Sequence, residues 1–190
     1  MAENVGNVAP FINDQFIVTA IFGDVRPYET HKGLDIATSG SKPLYAVDDG
    51  IVILNGGNSS TGYGYYFAYK NQTTGVAYFY GHMAAPSTLA VGDSVTFGTY
   101  VGMEGTTGSS TGIHLHFEMQ NLGSSNTWNF STPFSGMMNP ADYMGIRNIE
   151  DGTWWIYDGT PIPPTPPTPG DETDSKKWFK FMKRKKTIIL

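Results

Sequence analysis

The strongest constraint on the fold of this 190-residue chain is a series of short apolar and aromatic runs between residues 44 and 120. Most runs end at a turn signal, such as Asp48-Asp49-Gly50 or Asn55-Gly56-Gly57, so that a new run begins about every ten residues. No long stretch here has the periodicity of an amphipathic helix. The pattern predicts a mostly β protein, an antiparallel sheet with long surface loops and little helix. The predicted strands are 44–47, 51–54, 63–69, 76–80, 95–97, 100–103 and 113–119.

The chain changes character after residue 120. Residues 121–153 are rich in Gly, Ser, Asn and Pro, which predicts an irregular surface segment with a short helical turn at 139–144. Trp154-Trp155-Ile156-Tyr157 is predicted to be the last apolar anchor of the domain. Residues 161–175 are Pro-rich and then acidic, as in a semi-rigid linker. A basic and aromatic tail follows at 176–190.

These features predict one domain followed by two appendages. The domain spans residues 1–160, with a motif core at 22–120 and a loop-rich C-terminal part at 121–160. The linker at 161–175 and the tail at 176–190 complete the chain.

Composition and charge exclude several classes of protein. No apolar run approaches the ~20 residues that a membrane-spanning helix needs. Residues 1–170 carry 5 Lys/Arg against 14 Asp/Glu, and so acidic a body is a poor binder of nucleic acid. The absence of cysteine excludes disulfides and thiolate metal ligands.

The four histidines are the residues that best indicate chemistry. His114 and His116 flank Leu115 in a predicted strand, so both imidazoles project from one face. A catalytic zinc ion needs three protein ligands and an open position, which His31, Asp35 and one of the 114/116 pair would supply. The alternative is structural, because a His-x-x-x-Asp spacing is common by chance and a His-x-His can be a surface pair. Spacing alone does not prove that these residues converge in space.

Residues 22–118 resemble the lysostaphin-type (LytM-like) zinc metallopeptidases. The matching segments occur in family order, at 22–23, 31–37, 43–52, 80–83, 91–95 and 105–118. The last of them contains His114-Leu115-His116 and is long enough to be specific by itself. The resemblance implies an antiparallel sheet with its site in a groove bounded by loops. It also implies an endopeptidase that cuts peptidoglycan, at a glycine-rich bridge or at a stem-peptide cross-link.

The resemblance assigns a role to each candidate residue. His31, Asp35 and His116 match the ligands of one Zn²⁺ per chain. His82 and His114 match the two histidines that hold the attacking water and the developing oxyanion and move the proton. That division suits the chain, because it has no His-Glu-x-x-His helix whose glutamate could act as general base.

The chain departs from the family pattern near the first ligand. The family's Phe-Gly-x-Arg has one extra residue here, in the segment 22–26. A tyrosine upstream of the first ligand assists the transition state in relatives, and Tyr28 is the nearby candidate, with an ordinary loop tyrosine as the alternative. Glu118 either orients a ligand from behind or is a solvated, cross-strand residue.

Two further segments are expected to border the groove. The glycines and serines at 105–112 could be taken for a phosphate-binding loop, but no helix pattern follows them. We expect them to bend the chain beside the site. Tyr63, Tyr65 and Tyr66 alternate between core and surface, which makes them candidates to line the cleft.

The setting follows from what the N-terminus lacks. No basic n-region or apolar h-region is visible, so no secretory signal is predicted, although the implied substrate lies outside the cytoplasmic membrane. A bacteriophage cell-wall hydrolase resolves this, either tail-associated in the virion or released to the host wall as an endolysin. The tail at 176–190 then contacts other phage tail proteins or a membrane surface, or is a solvated extension. The alternative function is a catalytically inactive member that binds the wall, activates a hydrolase or builds the phage tail.

Overall fold

Strands make up most of the regular structure in the computed structural model, which describes residues 3–4, 9–146 and 154–156. These residues lie in one compact unit, Met1–Gly159. The strands are β1 Glu3–Asn4, β2 Gln15–Ala20, β3 Gly33–Thr38, β4 Pro43–Tyr45, β5 Gly50–Gly57, β6 Tyr65–Lys70, β7 Val76–Met83, β8 Ser94–Val95, β9 Tyr100–Met103, β10 Leu115–Asn121, β11 Met137–Met138 and β12 Trp154–Ile156. The helical elements of this part of the chain are a 3₁₀ turn, Phe134–Gly136, and α1, Pro140–Met144. The predicted mostly β fold is confirmed.

Ten of these strands form one sheet, in the order β1-β12-β2-β3-β10-β7-β6-β5-β8, with β11 paired to β10 at the side. Every pairing is antiparallel except that of β1 with β12. β4 and β9 form a separate antiparallel pair. No helix among the described residues is long and apolar enough to cross a membrane.

The strands β2 and β3 lie before residue 44, outside the strands predicted from the sequence. Each contributes only two apolar side chains to the core, Phe16 and Val18 from β2 and Leu34 and Ile36 from β3. The helical turn predicted at 139–144 is present, and α1 forms there because Asn139 caps it by accepting from the N–H of Ala141.

The central strands bury both of their faces, and the two faces carry different chemistry. On β10, Leu115, Phe117 and Met119 point into the main hydrophobic core. The intervening side chains of that strand, His116 and Glu118, therefore point to the opposite face. A second apolar cluster that includes Phe79, Trp128 and Met137 packs on that opposite face. The candidate site lies on the same face as this second cluster.

The Pro-rich and acidic linker at 161–175 and the basic tail at 176–190 lie outside the described residues, as does Tyr157 of the predicted apolar anchor. Their structure and the proposed domain boundary at residue 160 stay predictions.

Replacing Phe16 with alanine tests the main core. The ring is fully buried on β2 and packs against Phe11, so its loss removes apolar contacts and leaves a cavity. We expect the free energy of unfolding to fall by about 3–5 kcal/mol. Val25, which is 82% exposed, provides the control, because Val25→Ala should change it by less than about 0.5 kcal/mol. Denaturant titration of both variants measures the difference, and equal effects would contradict this description of the core.

Candidate active site

Three side-chain atoms converge on the polar face of the sheet. His116 Nδ1 lies 2.7 Å from Asp35 Oδ1, His31 Nε2 lies 3.1 Å from His116 Nδ1, and His31 Nε2 lies 3.2 Å from Asp35 Oδ1. All three residues are buried. Atoms that share a four-coordinate zinc ion are roughly 3.3–3.5 Å apart, given bonds of about 2.0–2.2 Å. The triangle is therefore close to the size that one metal ion requires.

The outer nitrogen of each imidazole in this triangle faces an oxygen that can only accept. His31 Nδ1 lies 2.7 Å from the carbonyl oxygen of Ile21, and His116 Nε2 lies 2.8 Å from Glu118 Oε1. When these outer nitrogens carry the hydrogens, the inner nitrogens present lone pairs to one another and to the Asp35 oxygen. Three lone pairs so close together require a cation between them. The residues present thus fit a divalent metal ion, with His31, Asp35 and His116 as its ligands.

When no metal ion is bound, a proton supplies part of the positive charge that the three lone pairs require. Burial by itself lowers the pKa of His116, but hydrogen bonds to Asp35 and Glu118 outweigh it and raise that pKa to about 9. Burial by itself raises the pKa of Asp35, but hydrogen bonds to His116 and His31 lower that pKa well below its ordinary range. A proton on His116 therefore holds the carboxylate, and metal binding must displace it.

The other two histidines lie beside the triangle rather than in it. The ring of His114 is 4.8 Å from that of His82, centroid to centroid, and its Nε2 is 3.9 Å from Asp35 Oδ1. His82 Nδ1 donates to the carbonyl oxygen of Thr107 at 2.7 Å, and His114 Nδ1 donates to that of Gly112 at 2.9 Å. Burial lowers the pKa of His82 to about 4, so this ring is neutral near pH 7. The His82 ring then offers Nε2 as a proton acceptor.

His82 reaches the site through an unusual backbone conformation. Strand alternation along β7 would send its side chain to the core face, together with Tyr78 and Tyr80. Its φ of 58° lies instead in the left-handed region, which non-glycine residues adopt at a cost of about 1–3 kcal/mol. The ring then faces His114 and His116 on the site face. This strained backbone conformation therefore places the ring of His82, the candidate proton acceptor, on the site face of the sheet.

A cavity of about 530 Å³ opens over these groups. Its lining combines the hydroxyl side chains of the 105–112 segment, as expected for a loop beside the groove, with charged residues from the segment before β3. The contributors outside the histidine and Asp35 cluster include Arg26, Glu29, Lys32, Ser109, Ser110 and Thr111. Arg26 Nη2 lies 3.4 Å from Asp35 Oδ2, the oxygen that faces away from the triangle. This contact leaves Oδ1 free for the metal position.

Two expectations about individual residues need correction. Tyr28 is fully exposed and does not line the cavity, because the loop that carries it turns the ring to solvent. The structure therefore does not bring it to the site, and the alternative of an ordinary loop tyrosine fits better. Glu118 is 2% exposed and bonded to His116, so the interpretation as a solvated residue is wrong. Tyr63 does line the cavity, and its hydroxyl donates to Glu118 Oε1 at 2.9 Å.

The model of peptidase family M23 matches residues 29–128, a segment that contains all four histidines and Asp35. This chain belongs to peptidase family M23. The resemblance to lysostaphin-type (LytM-like) enzymes is thereby confirmed.

Relatives of known sequence match part of this M23 domain. The DD-carboxypeptidases/endopeptidases Mpg of Neisseria meningitidis serogroup B and Neisseria gonorrhoeae are each 35% identical to it over 91 residues. That match covers 48% of this chain but 20% of each relative. The chain thus corresponds to about a fifth of their length.

Solved structures share the fold of the M23 domain. A mutant catalytic domain of the prophage-encoded M23 protein EnpA from Enterococcus faecalis is 29% identical, with a TM-score of 0.55, over 71% of this chain and 96% of that one. A zinc-containing peptidase from Vibrio cholerae is 27% identical, with a TM-score of 0.52, over 66% and 38%. The catalytic domain of lysostaphin from Staphylococcus simulans, at 23% identity and a TM-score of 0.56 over 68% and 92%, shows the same fold.

A glycine behind His82 provides a test of how the loops fix this site. Gly64 has a φ of 66°, and a Cβ there would meet Thr107 Oγ1 at 2.3 Å and Thr107 O, the acceptor of His82, at 2.4 Å. Gly98 has a φ of 81° with nothing within 4 Å of a Cβ, so Gly98→Ala introduces only backbone strain. We expect Gly98→Ala to lower the free energy of unfolding by about 1–2 kcal/mol. Gly64→Ala should cost roughly 1–3 kcal/mol more because of the clash, as measured by denaturant titration. Equal losses would show that the two loops are not in close contact.

Proposed function

We propose that this M23 family member is a zinc-dependent endopeptidase that hydrolyses peptide cross-links of bacterial peptidoglycan. The observation that carries the proposal is the buried triangle of His31 Nε2, Asp35 Oδ1 and His116 Nδ1 beside two further histidines at the floor of an open groove. Three protein ligands next to open space is the arrangement of a catalytic rather than a structural zinc site. One ion per chain is expected.

The chemistry divides between the ligands and the remaining histidines. When bound, zinc supplies a Lewis acid that polarises the scissile carbonyl and acidifies water. His82 and His114 have their Nδ1 hydrogens bound to carbonyl oxygens, which leaves Nε2 of each ring to hold the attacking water and take its proton. The same pair stabilises the developing oxyanion and returns the proton to the leaving amine. Water adds to the carbonyl carbon, the C–N bond breaks, and a carboxylate and an amine leave the groove.

Two similarities support the choice of substrate and setting. The Neisseria relatives, whose matching segment is 35% identical, are named as a DD-carboxypeptidase/endopeptidase. The Enterococcus faecalis neighbour in the fold comparison is prophage-encoded. A phage origin, with the protein tail-associated in the virion or acting as an endolysin on the host wall, is part of this proposal. The tail at 176–190 is proposed to contact other tail proteins or a membrane surface.

Metal analysis of the full chain with its His116→Ala variant tests the ligand set. We expect one zinc per wild-type chain and release of cross-linked muropeptides, both lost in the variant because His116 contributes a ligand atom to the triangle. Chelation should abolish activity and added zinc should restore it. Hydrolysis that survives metal removal would contradict the proposal, and zinc binding without any hydrolysis would favour the inactive wall-binding or structural alternative.

Replacing the two histidines outside the triangle should separate binding from catalysis. His82→Ala and His114→Ala are expected to keep stoichiometric zinc while kcat falls by about 10²–10⁴-fold, since the ligand atoms remain but the proton acceptor is lost. Zinc content and kcat measured on the same preparation check this. Loss of zinc from either variant would place that histidine among the ligands instead.

The peptide products of peptidoglycan digestion identify which bond is cleaved. New termini at glycine would indicate a glycine-rich bridge, whereas new termini within the stem peptide would indicate a stem-peptide cross-link. Mass spectrometry of purified virions addresses the setting, because particles that lack this chain would contradict the tail-associated version.

A further inference from the structure

Tyr63 contacts both halves of the site described above. We propose that it is a positioning residue, which orients the ligand His116 through its hydroxyl and ring and the candidate catalytic residue His82 through its backbone carbonyl. The inference rests on the proposed function, since it assumes that His116 holds the metal. Tyr63 precedes β6 by two residues and lines the cavity.

The first connection runs through Glu118. The Tyr63 hydroxyl donates to Glu118 Oε1 at 2.9 Å, and the same oxygen lies 2.8 Å from His116 Nε2. Two donors on one oxygen fix the carboxylate more firmly than a single donor would. The fixed carboxylate keeps the hydrogen of His116 on Nε2 and its lone pair on Nδ1, toward Asp35 and His31. The phenol thus supports the tautomer that can bind a metal.

The ring of Tyr63 restricts His116 from its side. The two ring centroids are 5.4 Å apart, and Tyr63 is also in contact with Phe79 and Phe130. Gly81 lies opposite His116 in the β7–β10 register, and a Cβ there would come within 3.5 Å of the Tyr63 ring. That is an ordinary contact distance, so the backbone of Gly81 and the ring of Tyr63 both lie close beside His116.

The second connection involves the backbone. The carbonyl oxygen of Tyr63 accepts from the N–H of His82 at 2.7 Å. His82 is the residue whose left-handed conformation turns its ring toward the site. A conformation that costs free energy persists only where its surroundings hold it, and this hydrogen bond is one of those restraints. The ring of Tyr63 packs against His116. This contact also restricts the backbone of Tyr63, whose carbonyl oxygen accepts the hydrogen bond from His82.

Tyr66 provides the matched control. It belongs to the same aromatic cluster, where it contacts Phe79 and Phe130, the two phenylalanines that Tyr63 also contacts. Its ring has no described contact with a histidine, within the part of the chain that the structure covers. Changes at Tyr66 therefore alter the cluster without altering the two connections.

The test measures zinc affinity and turnover separately, on full-length chains. Zinc dissociation constants come from competition with a chromophoric chelator, and kcat and KM come from hydrolysis of purified peptidoglycan at saturating zinc. Tyr63→Phe, which removes only the hydroxyl, should weaken zinc binding by about tenfold and leave kcat at saturating zinc within about threefold of wild type. Tyr63→Ala should also lower kcat by about 100-fold with little change in KM, because the restraint on His82 is lost.

The controls separate positioning from general stability. Tyr66→Phe and Tyr66→Ala should leave both quantities within about twofold of wild type, and Glu118→Gln should weaken zinc at least as much as Tyr63→Phe. Zinc affinity in Tyr63→Phe that is unchanged or tighter would overturn the connection through Glu118. An unchanged kcat in Tyr63→Ala would overturn the connection to His82.

Zinc binding by the wild-type protein distinguishes failure of the proposed function from failure of the inference about Tyr63 alone. If wild type binds no zinc, the proposed function fails and this inference fails with it. If wild type binds zinc and His116→Ala does not, while the Tyr63 variants behave like the Tyr66 variants, the inference alone is wrong.

Discussion

Antiparallel pairing of β3 with β10 places Asp35 directly opposite His116. The register is set by the core, because Leu34 and Ile36 on one strand and Leu115 and Phe117 on the other are fully buried on the opposite face. If either strand slipped by one residue, its faces would be exchanged: its polar side chain would enter the apolar core and its apolar side chains would move to the site face. The same hydrophobic burial that stabilises the sheet therefore also fixes two of the three proposed ligand atoms 2.7 Å apart.

Strands and loops position different residues of the site around this β3–β10 pair. Strand geometry alone explains the positions of Asp35, His116 and Glu118, which need no unusual backbone angle. His82 and His114 instead depend on the loops, since both donate to carbonyl oxygens of the 105–112 segment. Gly64 and Gly108, both with positive φ, let that segment approach the chain just before β6. Two of the three proposed ligands, Asp35 and His116, thus lie on central strands, whereas His31 and the proposed proton acceptors lie where strands meet loops.

This division explains which parts of the site are predictable from sequence. Alternation within one strand is a local property, so the shared face of His114 and His116 follows from the residue order alone. Family resemblance adds His31, Asp35 and His82, and the fold brings all five residues together. Tyr28 and Tyr63 show the limit, because nothing local distinguishes an exposed loop tyrosine from one that reaches a buried carboxylate. That difference depends on where the segments before β3 and β6 run in space, and left-handed residues such as His82 break the pattern that alternation provides.

Charge balance connects the site to the stability of the sheet. Asp35 and Glu118 are two buried carboxylates on either side of His116, and isolated buried charges are strongly unfavourable. Arg26 approaches Asp35 at the edge of the groove, and Tyr63 donates to Glu118, but neither contact neutralises both charges. A proton on His116 neutralises one unit of charge, whereas a divalent cation in the triangle would neutralise two. A divalent cation bound to Asp35 on β3 and His116 on β10 would link the two central strands, and an ion that binds only the folded chain would also stabilise it.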